Sequence, residues 1–249
     1  MQSNKSKLAA GYALYLLGAL TAFLLLALSV WGDVETSAFE GLIGAEERLS
    51  TLRCPVFITE GETGVISARI ENTTDREVSP IVQARWTQGY ATLLQEKRQQ
   101  FDIPVGESRT FEFEITEEDA AYRSLILARV YQFGNVGLPS RTASCGVVLL
   151  PFSGPPGQQI FFGSFAASAV LIAVGLFLLK PPDRLARIRQ DTGGKRIRTS
   201  FGGLVYLGAY LLIAILVSLL SDWLLNIGLI LLAVVSILAV FSYLFSGSQ

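Results

Sequence analysis

Histidine is absent from the 249 residues, methionine occurs once, cysteine twice, and charged residues make up only 16%. Without histidine the chain lacks the usual general base near neutral pH and the commonest metal ligand. Cys54 and Cys145 cannot hold a zinc ion by themselves and form no C-x-x-C pair. No set of nucleophile and base stands out, so no catalytic residue, metal or cofactor is expected. Average soluble domains carry about 25% charged residues. A 16% charged, 51% hydrophobic chain has instead the composition of a membrane protein.

Long apolar runs are what the sequence does have. A bilayer core needs roughly 20 apolar residues in a helix. Segments 11–31, 160–179, 201–220 and 224–245 meet that length, and none contains Asp, Glu, Lys or Arg. Four transmembrane helices are therefore expected. Ionisable groups inside a membrane mark ion and proton paths, so their absence speaks against a proton-driven pump. Lys5, Lys7 and "ALS" at 27–29 also fit a signal peptide. The first run, however, is longer than the ~7–15 residues of a signal core, and an uncleaved anchor is the preferred reading.

Charge sets the expected orientation. Residues 180–198 hold seven basic and two acidic side chains, whereas residues 33–156 hold eleven basic and eighteen acidic ones. Short basic loops stay cytoplasmic. The expectation is a multi-pass protein of the cell membrane. Its tails (1–10 and 246–249) and basic loop (180–200) would be inside. Residues 32–159 and the turn 221–223 would be outside. Within the basic loop, Arg184, Arg187 and Arg189 flank Leu185 and Ile188 and would meet lipid headgroups. The loop's "DTGGK" lacks the full phosphate-loop pattern and a preceding strand.

Between the first two spans, 32–50 reads as an acidic linker with room for one or two helical turns. Residues 51–156 then alternate. Ile66, Ala68 and Ile70 share one face, as do Val82, Ala84 and Trp86, and Phe111, Phe113 and Ile115, with polar residues between them. Turn signals separate six short strands, or seven if Tyr90 to Ile103 supplies one. The fold class expected is thus a four-helix membrane protein carrying an all-β extracytoplasmic sandwich of six to seven strands. This spacing, with Trp86 on the third strand and "EEDAAY" before the penultimate one, resembles immunoglobulin-like and fibronectin-III-like ectodomains of bacterial membrane proteins. Alternation assigns Trp86, Phe111 and Phe113 to the core, and the resemblance implies a corner tyrosine at Tyr122. It is architectural and implies no function. The cysteines depart from it, lying on the first and last strands instead of the second and penultimate. On the outer side of a membrane two lone cysteines form a bridge readily. Closing a loop of 91 steps is worth on the order of 4–5 kcal/mol in the chain-entropy model.

Other features read as structural. "NTT" at 72–74 matches a glycan acceptor but also a hydrogen-bonded turn, the preferred reading. Glu112, Glu114, Glu117, Glu118 and Asp119 form a solvated acidic face in preference to a cation site. Gly18 with Ala22, Gly163 with Ala167, Ser164 with Ser168, and Ser236 with Ala239 put small residues at helical spacing, which permits close helix packing.

The function expected is non-enzymatic. The ectodomain would make protein–protein contact through its surface or the spans, as an accessory subunit or envelope-interaction module. Partners are the lipid bilayer and protein, with no nucleic acid. The alternative rests on a second resemblance. One span, a large outer domain and three more spans is similar to permease subunits of ABC-type exporters. An enzyme acting on an envelope substrate finds no residue set to support it.

Overall fold

The computed structural model describes residues 2–38, 45–134, 137–180, 193–219 and 223–245. Among the described residues there are four α-helices: α1 (Gln2–Ala38), α2 (Gly157–Leu179), α3 (Gly193–Ser218) and α4 (Trp223–Phe245). Among the described residues three helical stretches are long and apolar enough to cross a membrane. They are Ser6–Thr36, Gly157–Leu179 and Phe201–Ser218, and α4 holds a shorter apolar stretch, Leu225–Val240. The chain divides into a helical unit (residues up to Val30 and from Phe162) and a β unit, Trp31–Phe161.

In the helical unit successive helices reverse direction. Gly18 lies against Ser168 and Ile172, while Gly11 lies against Leu178 and Leu179, so α1 and α2 are antiparallel. Tyr15 bonds the carbonyl of Leu204, and Ser29 bonds Ser218, each at a separation of 189, so α1 and α3 run parallel. Tyr210 bonds the Leu229 carbonyl and Asn226 the Ser218 carbonyl, which sets α4 antiparallel to α3.

Among the described residues nine strands build the β unit: β1 (Glu47–Arg48), β2 (Leu52–Arg53), β3 (Phe57–Thr59), β4 (Gly64–Glu71), β5 (Ile81–Gln88), β6 (Tyr90–Gln100), β7 (Ser108–Ile115), β8 (Leu125–Gln132) and β9 (Arg141–Leu150). One sheet has the order β1-β9-β8-β5-β6 with β3 also on β9; the other has the order β2-β4-β7. Both sheets feed one hydrophobic cluster. Ile66, Ala68, Ile70, Phe111, Phe113 and Ile115 enter from the small sheet, and Trp86, Ile126, Ala128, Val130 and Val147 from the large one. The Trp86 and Phe113 rings lie 6.4 Å apart between centroids.

Three boundaries differ from the expectation. The helix continues past Trp31 to Ala38, so much of the expected linker is helical, and β1 then forms at Glu47. The first strand expected over Leu52 to Thr59 is two short ones, β2 and β3. β1 and β3 both pair parallel with β9, and β2 pairs instead with β4 of the other sheet. Pro55 lies where the chain returns, since proline has no N–H to continue a ladder. Finally, α3 begins at Gly193, inside the stretch read as a loop. Arg184, Arg187, Arg189 and the turn at Ser221 lie outside the described residues.

Candidate functional site

Cys54 and Cys145 are joined, with Cα atoms 6.5 Å apart, inside the normal range for a bridge. Cys145 projects from β9 into the shared core with Val147 and Leu149. Cys54 follows β2, between strands and not on one as the sequence implied. The bridge therefore fastens the detour that the chain makes from the large sheet to the small one and back.

Beside it the β unit grips the helix ends it contains. A Cβ on Gly32 would stand 2.9 Å from the Gly146 carbonyl oxygen, and one on Gly146 would collide with the Gly32 backbone. A glycine in a helix costs up to about 1 kcal/mol relative to alanine; here its lack of a side chain lets helix and strand backbones touch. Gly146 also donates its N–H to Asp33 Oδ1 at 3.4 Å. At α2, Gly157 has no room for a Cβ against Phe57. The Glu62 carboxylate accepts N–H groups from both Gly157 and Thr59 at 2.8 Å. An acid at a helix N-terminus satisfies an orphan donor and suits the helix dipole.

The face of the large sheet turned away from the core is rich in arginine. Register places Glu96, Arg85, Arg129 and Ser144 in one row across β6, β5, β8 and β9. Glu96 pairs with Arg85 at 2.9 Å and Arg98 at 2.8 Å. Partial desolvation raises the Glu96 carboxyl; hydrogen bonds and charges from the two arginines outweigh it and hold the group below the usual carboxylate range. Arg98 also lies 5.9 Å from the Phe133 ring centroid. Burial lowers the Arg48 guanidinium, against a raising influence from Asp33. The alternation of "IVQARWT" and "LILARVYQF" puts each arginine opposite the core; only the sheet order shows that they are neighbours.

The predicted residues fall out unevenly. Trp86, Phe111 and Phe113 are buried. Tyr122 is not a core residue: it is 68% exposed, with φ of 55° in a left-handed turn. The turn from Ala121 to Leu125 closes through backbone hydrogen bonds, and its tyrosine is turned outward. Asn72 is fully buried and donates to the carbonyls of Arg76 and Ile103 while accepting from Thr74. That is the turn reading, and both amide hydrogens are in use. Asp119 accepts from Thr116 N at 2.7 Å and Glu117 from Gly61 N at 2.8 Å. Among the described residues no cluster of three metal-type side chains occurs.

In the helical unit Gly18 is in tight contact with α2, Ser168 donates to its carbonyl at 2.9 Å, and Ala22 is buried. Gly163 and Ala167 form no such contact: both are exposed, and a Cβ on Gly163 would meet nothing within 4 Å. Ser236 is buried, but Ala239 is exposed. Small residues lower the steric barrier on whichever face they occupy; which face is used depends on where the neighbouring helix lies. Sequence reasoning missed Tyr15. It is 1% exposed, bonds the Leu204 carbonyl at 2.8 Å, lies with its backbone against Gly175, and has its ring beside Gly208.

No family model matches the chain, and no curated protein matches it. Solved structures resemble part of it. A Paenibacillus sp. cycloisomaltooligosaccharide glucanotransferase is similar at 16% identity over 45% of this chain and 15% of its own, with a TM-score of 0.32. A β-glucosidase from Listeria innocua is similar at 17% identity over 41% and 15%, with a TM-score of 0.30. Bacteroides uniformis β-glucuronidase 2 is similar at 14% identity over 39% and 12%, with a TM-score of 0.28. The chain spans no more than 15% of these enzymes, and so distant a likeness assigns neither fold nor activity.

Proposed function

We propose that this is a non-enzymatic membrane protein whose β unit works by contact with another protein. The arginine-lined outer face of the large sheet carries this reading. Arg85 and Arg98 pair with one carboxylate, Glu96, and Arg129 stands next to Arg85 in the same row, on a segment that is acidic as a whole. Guanidinium groups bind carboxylates in bidentate fashion and stack on aromatic rings, which makes such a face a recognition surface for an acidic partner.

The two sheets fit a sandwich of the immunoglobulin type. The order β9-β8-β5-β6 against β2-β4-β7 follows the arrangement in which strands G, F, C and C′ face A, B and E, with a buried tryptophan on C. The bridge from the first strands to the last is this chain's departure from that pattern. Four spans are supported by the alternating helix directions, which return the chain to the same side after each pair. With the basic loop cytoplasmic, the β unit is extracytoplasmic.

The test is purification in mild detergent with identification of co-purifying proteins, comparing the native chain with the R85E/R98E variant. A partner retained by the native chain and lost by the folded variant supports the reading. Equal capture by both removes the arginine face from it. Capture of an ATPase by both would favour the exporter-permease alternative.

A further inference from the structure

The β unit includes the last turns of α1 and the first turn of α2, so it carries its own markers of where two apolar runs end. Gly32, next after the end of the first run at Trp31, touches Gly146 of β9. Gly157, just before the second run, touches Phe57, which pairs with Val148 of β9. Gly146 is at the centre of β9 and Val148 two residues on, so both markers fall on its C-terminal half. Register carries that level across the sheet. Gly146 pairs with Leu127, Leu127 donates its N–H to Thr87 Oγ1, and Thr87 pairs with Leu94.

The β5–β6 hairpin crosses this row and turns at Gly89, whose φ of 70° suits glycine. At and beyond the row it exposes three apolar or aromatic side chains: Tyr90 at 68%, Leu93 at 54% and Leu94 at 38%. The same end of the unit exposes Trp31, Tyr122 and Phe152. Aromatic residues with a polar handle concentrate at the headgroup level of membranes, where ring and hydroxyl or N–H are each satisfied.

We propose that the β5–β6 hairpin tip, Tyr90 to Leu94, rests in the headgroup layer of the membrane that α1 and α2 cross, as a third point of attachment for the β unit. The proposal depends on the reading of α1 and α2 as spans. Continuity identifies the occupant: the ends of the two apolar runs that belong to the β unit lie at the base of this tip. Glu60, Glu117 and Glu118 are exposed on adjacent loops of that end, so the surface it suits is zwitterionic.

The test uses the full chain in phosphatidylcholine nanodiscs. Cys54 and Cys145 are bridged, so one introduced thiol takes an environment-sensitive fluorophore. Labels go on Y90C and L93C at the tip, V105C on the exposed turn at the opposite end of the sheets, and V170C on the exposed side of α2 at the middle of its apolar run. Lipids carrying a nitroxide close to the headgroup should quench positions 90 and 93 several-fold more than 105 and shift their emission to the blue. Lipids carrying it deep in the chain should quench 170. Quenching at 170 with no excess at 90 and 93 over 105 overturns the proposal and leaves the spans standing. Absence of quenching at 170 overturns the spans, and the proposal with them.

Discussion

Tyr15 ties three helices together through a single side chain. Its hydroxyl donates to a carbonyl of α3, its ring uses the space left by Gly208, and its backbone uses the space left by Gly175. Interhelical hydrogen bonds within membranes average about 0.6 kcal/mol and reach about 1.7. Y15F should therefore lower stability by about that amount. G208V should cost more, roughly 1–3 kcal/mol, because overpacking displaces the ring and the adjoining Ile172. Thermal unfolding in one detergent, comparing the two variants, checks the order. Gly146 poses the same question in the β unit. G146A should destabilise by a similar ~1–3 kcal/mol, since the added methyl would meet backbone and not a movable side-chain tip.

At the scale of elements, two features set how the strands hold together. The first is the bridge, which spans a sequence separation of 91 and joins the detour through β2 to the centre of β9. Replacing both cysteines by serine should cost on the order of 4–5 kcal/mol by the chain-entropy argument. Denaturant unfolding of the oxidised chain against the double variant measures it. The second is the Glu96 pairing between β6 and β5. A carboxyl held below its ordinary value of about 4.3 adds stability that is fully present above that value. The contribution is lost as pH falls through the lower folded-state value. Below about pH 4 the native chain should lose stability that E96Q never had, so the gap between the two in acid–melting profiles should close there. The effect is small, because the Arg85 and Glu96 side chains are each about a third exposed and exposed pairs are screened.

At the scale of the whole molecule, the reading of spans and sides makes one decisive prediction. A thiol introduced at Val105 in intact cells should react with a membrane-impermeant reagent. One introduced at Thr199 should react only after permeabilisation. Labelling of both in intact cells would overturn the four-span topology. The apolar runs, the charge bias and the strand alternation that support this reading are local properties. They need no knowledge of what lies beside each residue, because lipid is a solvent that selects length and composition. The inward rows at Ile66, Val82 and Phe111 were legible for the same reason: period two assigns a face without naming the partner. Contacts between distant residues are another matter. Gly18 and Gly163 look alike in sequence, and only the position of α1 against α2 makes one a contact and leaves the other bare. Tyr122 sits in the expected place along the chain, but the backbone of its own turn already satisfies that corner, so the ring faces out. The arginine row, the two glycine-to-backbone contacts and the level of the hairpin tip all follow from sheet order and register. Those are set by which strands bury apolar surface together, a choice made by the folded chain as a whole and by no segment of it alone.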